Sequence, residues 1–280
     1  MKYALISVSD KTGIIELAQR LIELNYQLIA TGRTAKLLTD NSMACIEVSD
    51  FTGFAEIFDG RVKTLQAKIF GGILMRRELG KDIIQAKENN IQPIDIVVVN
   101  LYPFPEVVKR EDISNEIKIE NIDIGGPSLI RAAAKNYKYV SVLTHPIQYD
   151  DFINELTQGN ISEGTRQKLA YEAFDYTSYY DTLIANYLEN EFNQKPKSIR
   201  LNYKFDSDLR YGENPHQKAE LYGYFNSYFE FIHGKELSYN NIVDLVAAVD
   251  LVNDLEKFSC VIIKHTNPCG AASSNSTLDA

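Results

Sequence analysis

The alternation of short apolar runs with helical stretches is the feature that most constrains the fold of this chain. Residues 3–8 (YALISV) are apolar, and a polar break and then apolar residues at helical spacing follow them. Similar short runs recur at QLIA, CIEV, DIVVVNL and YVSVL. DIVVVNL (95–101) is apolar at consecutive positions, as expected of a strand buried on both faces. The pattern predicts an α/β fold with a parallel sheet, whose ligand site lies at the carboxyl ends of the strands.

The bulk composition excludes several classes of protein. The 280-residue chain carries a formal net charge of −9 at pH 7, which argues against a general nucleic-acid surface. No apolar run reaches the ~18 residues that span a membrane, and the N-terminus resembles a first strand more than a signal peptide. Three cysteines without metal-type spacing indicate a reducing, cytoplasmic setting. An anionic small-molecule ligand is still compatible with this charge, because its site needs only local positive charge.

A polar segment after a long helical stretch predicts a domain boundary. Residues 163 to about 192 have helical character, and a short polar linker that contains Pro196 follows at 194–199. The expected domains are therefore 1–193 and 200–280, and the second domain also alternates between strand-like and helical segments.

One segment of the second domain suggests acid–base chemistry. VIIKHTNPCGAA (261–272) predicts a strand that delivers Lys264 and His265 into a Pro-Cys-Gly turn. A lysine and a histidine side by side at the end of a strand are a common source of proton-transfer groups.

Two polar breaks of the first domain are candidates for an anion site. In SVSDKTG, Ser9 and Lys11 lie between a strand and a helix, where a bound anion would offset the unfavourable position of the lysine. In TGRTAK, Thr31, Gly32 and Thr34 precede a helix and can form a phosphate nest. A solvated lysine and ordinary N-cap chemistry are the alternatives.

Later breaks add further polar side chains. DGRVKTL contains Thr64 together with Arg61 and Lys63, which the alternation of an extended segment places on one face. Either an anion lies between these two cations, or they form a solvated basic patch. Asn100 and Tyr102 directly follow the most buried strand.

The segment NIDIGGPSLIRAAAK predicts a helix with Pro127 at its first position and Asp123 just before it. Ser128, Arg131 and Lys135 share one face of this helix, for which a surface salt-bridge face is the alternative explanation. Because all these breaks are expected at one edge of the sheet, together they favour a site for a phosphorylated small molecule.

The same breaks carry a resemblance to a known family. SVSDKTG, TGRTAK, GRVKTL, NLYPF and IDIGGPSLIRAAAKN resemble, in order and spacing, the IMP cyclohydrolase domain of the bifunctional purine-biosynthesis enzymes. RYGENPHQ and IKHTNPCGAA resemble the opening of the second domain of that family, the AICAR transformylase. The resemblance covers the whole chain.

The resemblance implies a fold and an activity for each domain. Residues 1–193 would adopt a methylglyoxal-synthase-like fold and close the ring of formyl-AICAR ribotide to give IMP and water, without cofactor or metal. Residues 194–199 would be the linker, and 200–280 a truncated N-terminal part of a cytidine-deaminase-like transformylase domain. Full-length members also formylate AICAR with 10-formyltetrahydrofolate as co-substrate and form homodimers. We expect no formyl transfer from this chain alone.

The family's functional residues are carried over by motif. The implied substrate-binding residues of the first domain are Ser9, Lys11, Thr31, Gly32, Thr34, Arg61, Thr64, Asn100, Gly125 and Gly126. The implied catalytic residues are Lys63, Tyr102, Asp123 and Lys135, the last of which matches the proton-transferring lysine of the family. In the second domain the resemblance implies AICAR contacts and a catalytic pair, namely Arg210 with Tyr211 and Lys264 with His265.

Four positions depart from the family pattern and leave an alternative open. Arg33 stands where the family usually has a second glycine, Gln66 and Ala67 replace His-Pro, and Phe70 replaces a histidine. These changes make a non-catalytic ribotide- or phosphate-binding module on the same fold the main alternative. A different phosphate chemistry, such as methylglyoxal synthesis, is disfavoured because the motif after each strand matches the cyclohydrolase.

Overall fold

The alternating pattern folds into one five-stranded parallel sheet, which confirms the predicted α/β class. The computed structural model describes residues 1–280, and the sheet lies in the first of two units, Met1–Ile199 and Arg200–Ala280. Its strands are β1 (Lys2–Ser7), β2 (Tyr26–Ala30), β3 (Cys45–Glu47), β4 (Ile96–Val99) and β5 (Ser141–Leu143).

The strand order contains one reversal, and it lies beside β1. The order is β3-β2-β1-β4-β5, so the chain first runs outward from β1 and later returns to its other side. Ile6 pairs with Ala30 of β2, and Ser7 pairs with Val99 of β4, so the three central strands end at nearly the same level. Loops that leave neighbouring strands in opposite directions open a crevice at such a point, where α/β proteins commonly bind ligands.

Ten helices of the first unit cover the sheet and connect its strands. They are α1 (Ile14–Glu23), α2 (Gly32–Asp40), α3 (Val48–Thr52), α4 (Ala67–Leu74), α5 (Gly80–Glu88), α6 (Phe104–Val108), α7 (Asn115–Glu120), α8 (Gly125–Lys135), α9 (Tyr149–Thr157) and α10 (Glu163–Glu191). A short 3₁₀ helix spans Pro146–Gln148. All four residues of β4 are buried, as its continuous apolar run predicts. None of the helices in residues 1–280 is long and apolar enough to cross a membrane.

An ion pair holds the amino-terminal edge of the sheet together. Asp95, which precedes β4, accepts a hydrogen bond from the backbone N–H of Tyr3 at 2.9 Å and pairs with Arg77 at 2.6 Å. Arg77 also donates to the carbonyl of Ile94 at 2.8 Å. The polar groups at this edge are therefore used in fastening the sheet, whereas those at the carboxyl-terminal edge surround a cavity.

The second unit combines two antiparallel hairpins with one helix. Its elements are β6 (Phe205–Leu209), β7 (Ala219–Tyr222), a 3₁₀ helix (Phe225–Ser227), α11 (Tyr239–Asn253), β8 (Ser259–Lys264) and β9 (Asn267–Ser273). Strands β6 and β7 pair with each other, and so do β8 and β9. The assignment of the two units to the two enzyme domains stays a prediction.

The predicted Pro-Cys-Gly turn is wrong. The chain reverses before this tripeptide, at His265 and Thr266, which have φ angles of 51° and 63°. Pro268 lies in β9. Two residues with positive φ form the tight turn whose twist matches that of a hairpin, and the backbone N–H of Thr266 donates to Asp244 at 2.8 Å.

Replacement of Ile6 by alanine tests the burial of the central strand. Ile6 is fully buried in β1, so we expect Ile6→Ala to lower the free energy of unfolding by about 2–5 kcal/mol. The matched control is Ile147→Ala, because Ile147 is 81% exposed, and its expected effect is within about 0.5 kcal/mol. Urea unfolding measures both values, and equal effects of the two substitutions would contradict this packing.

Candidate active site

A cavity of about 550 Å³ lies at the carboxyl-terminal edge of the sheet, over the reversal between β1 and β4. Twelve of the predicted first-domain residues line it: Ser9, Lys11, Thr31, Thr34, Arg61, Lys63, Thr64, Asn100, Tyr102, Asp123, Gly125 and Gly126. Gly32 belongs to the same wall, because a Cβ atom at this position would lie 3.0 Å from Nζ of Lys63. The structure thus brings together polar breaks that are more than 100 residues apart in the sequence.

The side chain of Asn100 joins the two central loops. Its Oδ1 accepts hydrogen bonds from the backbone N–H groups of Ser9 at 2.6 Å and Asp10 at 2.9 Å, and its Nδ2 donates to the carbonyl of Asp10 at 2.9 Å. Asn100 is buried, so these bonds satisfy groups that water does not reach. The loop after β1 is therefore held at a defined position relative to the end of β4.

Lys11 and Arg33 form the part of the cavity wall that lies near β2. The Lys11 ammonium donates to the carbonyl of Val8 and, at 3.1 Å, to the hydroxyl of Thr34. Burial is the main cause that lowers the pKa of Lys11, and the Arg33 cation lowers it further. Neither cation is within salt-bridge distance of a carboxylate. Two neighbouring cations that are not in direct ion pairs favour an anion here, although the Asp10 charge partly offsets the lowering of the Lys11 pKa.

The start of α2 adds backbone donors to this wall. Thr31 is its N-cap, but its hydroxyl lies 3.0 Å from that of Ser7 and does not cap the helix. The backbone N–H groups of Gly32 and Arg33 are therefore available to an anion, whereas that of Thr34 donates to the carbonyl of Thr31 at 2.8 Å. Gly32 adopts a φ of 33°, whereas Arg33 has a negative φ within the helix. An arginine at this position consequently introduces no backbone strain.

The segment that carries Arg61 and Lys63 is a turn, which corrects the predicted extended segment. Phe58, Asp59 and Gly60 have φ angles of 54°, 52° and 87°, and an antiparallel bridge between residues 57 and 62 closes the turn. The turn forms because positive φ at consecutive residues reverses the chain.

Each cation of this turn has a carboxylate partner that the sequence analysis missed. Nε of Arg61 lies 3.3 Å from Glu120 of α7, and Nζ of Lys63 lies 2.7 Å from Glu56. These pairs remove the repulsion that an unpaired arginine and lysine would have. Both glutamates belong to irregular or short elements, so their positions have no signal in the sequence pattern.

Asp123 lies on the wall near β4 and is partly buried. Its carboxylate accepts the backbone N–H of Gly126 at 2.8 Å and also bonds the N–H groups of Tyr102 and Gly125. Burial raises the pKa of the Asp123 carboxyl above its usual range, although these donors oppose the shift. A carboxyl with a raised pKa is suited to both releasing and accepting a proton.

Two glycines at the start of α8 allow its backbone to lie close to the neighbouring loops. A Cβ atom at Gly126 would lie 2.6 Å from Cδ2 of Leu101, and one at Gly125 would lie 2.9 Å from the hydroxyl of Thr64.

The helix begins at Gly125, so Pro127 is its third residue rather than its first. Proline is tolerated there because the N–H groups of the first turn have no partner within the helix.

Lys135 is the exception among the first-domain residues. It is the last residue of α8, exposed, and does not line the cavity. It lies ten positions after Gly125 in the helix, which corresponds to about 15 Å along the axis. Lys135 thus lies apart from the other predicted catalytic residues of this chain, because the cavity faces the opposite end of this helix, and its catalytic role stays a prediction.

The four predicted residues of the second unit form two separate features. The guanidinium of Arg210 lies 4.9 Å from the ring centre of Tyr211 and donates to its hydroxyl at 3.2 Å. Hydrogen bonding from Ser238 is the main cause that lowers the pKa of Tyr211. Lys264 ends β8 and His265 begins the hairpin turn, and both are exposed. No group of three or more His, Cys, Asp or Glu side chains in residues 1–280 could hold a metal ion.

The raised pKa of Asp123 predicts a pH dependence of stability. Between the usual aspartate value of 3.8 and the raised value, the folded chain binds more protons at this carboxyl than the unfolded chain does. The contribution of Asp123 to the free energy of unfolding is therefore present below pH 3.8 and is lost as the pH rises through the folded pKa. We expect the unfolding free energy of the wild type minus that of Asp123→Asn to fall over this window.

Urea unfolding between about pH 3 and pH 7 measures this difference. The matched control is Asp151→Asn, because Asp151 is exposed on α9. A wild-type minus Asp123→Asn difference that rises with pH would contradict the burial of the Asp123 carboxyl.

Comparisons with known proteins agree with this geometry. A family model described as an MGS-like domain matches residues 13–128, and one described as the AICARFT/IMPCHase bienzyme matches residues 133–280. The structure is similar to the solved structure of ForH, with a TM-score of 0.62 and 35% sequence identity, over 67% of this chain and 97% of that chain.

Curated relatives extend the similarity over the whole chain. The bifunctional purine biosynthesis protein PurH of Thermoanaerobacter sp. (strain X514) is 51% identical over 100% of this chain and 56% of its own length. PurH of Bacillus mycoides (strain KBAB4) is 48% identical over 96% of this chain and 54% of its own length. The chain thus spans about half the length of the curated relatives it matches. With more than half of its residues inside the matching family model, the chain belongs to the AICARFT/IMPCHase bienzyme family.

Proposed function

We propose that the cavity closes the ring of formyl-AICAR ribotide to give IMP and water. The observation that carries the proposal is the division of the cavity into two walls. Lys11 and Arg33 offer positive charge outside any direct ion pair on one wall, and Tyr102 and Asp123 offer a phenol and a protonatable carboxyl on the other. A ribotide has the matching division into a phosphate and a base.

The phosphate is assigned to the wall near β2. Lys11, Arg33 and the N–H groups of Gly32 and Arg33 at the start of α2 are suited to bind phosphate oxygens. Arg61 and Lys63 are less suited, because a phosphate there would compete with Glu120 and Glu56. The charge pattern therefore orients the ligand as well as binding it.

The reaction needs an intramolecular attack. The carboxamide nitrogen forms a bond to the formyl carbon, and the formyl oxygen takes up negative charge before it is protonated and leaves as water. The two groups already belong to one molecule, so the site lowers the barrier by holding the substrate in the conformation in which they meet. Tyr102, and the Lys63 ammonium if it exchanges Glu56 for the substrate, stabilise the charge on oxygen.

Asp123 is assigned the proton transfers. The carboxamide nitrogen loses one proton as the new C–N bond forms, the formamide nitrogen loses one as the C–O bond breaks, and the departing oxygen gains both. A partly buried carboxyl with a raised pKa can accept these protons from nitrogen and return them to the departing oxygen. Lys135 takes no part in this account, because it lies outside the cavity. The residues of the cavity accomplish the reaction without a cofactor or a metal.

The wider setting is also a proposal. A net charge of −9 and the absence of a spanning helix in residues 1–280 support a cytoplasmic protein that binds purine ribotides and neither nucleic acid nor membranes. The resemblance supports a homodimer. Formyl transfer from 10-formyltetrahydrofolate is not proposed for residues 1–280, because Lys264 and His265 are exposed to water in a hairpin turn.

The non-catalytic alternative loses part of its support. Gln66, Ala67 and Phe70, which motivated it, line a separate shallow depression with Leu65 and Ser128. Arg33 does line the main cavity, but there it adds positive charge without backbone strain. The residues assigned to the chemistry are all present.

Turnover of formyl-AICAR ribotide, followed by the absorbance of IMP, tests the proposal. We expect the wild type to form IMP, and Asp123→Asn to lower kcat by about 10²- to 10⁴-fold because the substituted amide cannot exchange protons. Asp151→Asn is the exposed control and should leave kcat unchanged. Tight IMP binding by a wild type that forms no IMP would establish the binding module instead.

A further inference from the structure

Two tyrosine hydroxyls of α10 contact the loops that carry the proposed chemistry. The backbone N–H of Leu101 donates to the hydroxyl of Tyr176 at 3.1 Å. The backbone N–H of Asp123 donates to the hydroxyl of Tyr180 at 2.9 Å. Tyr176 and Tyr180 are four residues apart and thus lie on one face of the helix. One rigid element therefore fixes both the loop before Tyr102 and the loop of Asp123.

The surroundings of these hydroxyls make the contacts hard to replace. Tyr180 is 3% exposed, and Tyr176 is partly buried. Burial raises the pKa of Tyr180 to about 12 and that of Tyr176 above its ordinary value, so both side chains are neutral near pH 7. A backbone N–H that lost its tyrosine partner would remain buried without a hydrogen bond, which is costly enough to displace a loop.

Ring packing alone does not account for these hydroxyls. Tyr180 and Tyr187 both pack edge-on against Phe104, with ring centres 6.1 Å and 5.6 Å away. The Tyr187 hydroxyl instead donates to the exposed Asn115 at 3.3 Å. The same helix thus presents one tyrosine whose hydroxyl meets the cavity loops and one whose hydroxyl does not.

We propose that Tyr176 and Tyr180 are positioning residues that hold Tyr102 and Asp123 in the geometry of ring closure. The inference rests on the proposed function. The carboxylate of Asp123 in turn binds the N–H of Tyr102, so the two loops and the helix form one connected network. Loss of the Tyr180 hydroxyl releases the backbone of Asp123, and the groups that move protons and stabilise charge lose their alignment.

Phenylalanine variants test the proposal because they keep the rings and remove only the hydroxyls. Tyr180→Phe is expected to lower kcat for IMP formation by about tenfold or more, since small misplacements at a reacting centre cost that much, with KM within about twofold. Tyr176→Phe is expected to act in the same direction. Tyr187→Phe, the matched control, should leave kcat and KM within about twofold of the wild type.

A second measurement does not depend on turnover. The titration of the Asp123 carboxyl, followed by carbon-13 NMR, is expected to move toward the usual aspartate value in Tyr180→Phe, because a loosened loop admits water, and to stay unchanged in Tyr187→Phe. The titratable side chains that face Asp123 are Tyr176 and Tyr180, and the cavity adds Tyr102, Lys63 and Glu120.

The outcomes separate the two claims. If the wild type forms no IMP, the proposed function fails, and the Asp123 titration alone decides whether the helix hydroxyls set the position of this carboxyl. Titration curves of Tyr180→Phe and Tyr187→Phe that both coincide with the wild type would overturn the positioning role. Equal kcat values of these two variants would overturn it as well.

Discussion

The reversal of strand order beside β1 is the constraint on which the rest of the structure depends. Because β1 pairs with both β2 and β4, the loops that follow these strands leave in different directions and enclose a cavity. Asn100 then bonds the loop after β1 to the end of β4. The opposite edge has no such opening, since Asp95 and Arg77 fasten it.

The charges of the cavity are unevenly compensated, and this asymmetry links the fold to the chemistry. Arg61 and Lys63 are each paired with a glutamate, so the repulsion between these two cations is reduced. Lys11 and Arg33 have no direct carboxylate partner, and a bound anion would reduce the repulsion between them further than the nearby Asp10 charge does. The backbone N–H of Asp123 is bonded to Tyr180 of α10, and partial burial favours the protonated form of its carboxyl.

Much of the fold and of the site could be predicted from the sequence, for identifiable reasons. The strands are short apolar runs whose burial requires no knowledge of distant residues, and their carboxyl ends meet at one edge by the rules of parallel sheets. The turn at residues 58–60 carries a partial signal, because aspartate and glycine both favour positive φ, whereas Phe58 gives no such indication. The reversal at His265 and Thr266 was harder to predict, because neither of its two central residues is a glycine or an asparagine.

Contacts between residues that are far apart in the chain could not be predicted from the sequence either. The motif that includes both Asp123 and Lys135 suggests one site, but a straight helix carries its last residue away from its first. Glu56 and Glu120 meet their partners only through the tertiary fold. The tyrosines of α10 are spaced as an ordinary core face, so no local pattern distinguishes Tyr180 from Tyr187.

The most direct test of the account is a crystal structure of the protein with IMP bound. We expect the phosphate within hydrogen-bonding distance of Lys11, Arg33 and the first turn of α2, and the purine base beside Tyr102 and Asp123. IMP bound in the reverse orientation, with its phosphate at Asp123, or bound outside the cavity, would contradict the claim that this edge of the sheet is the site of ring closure.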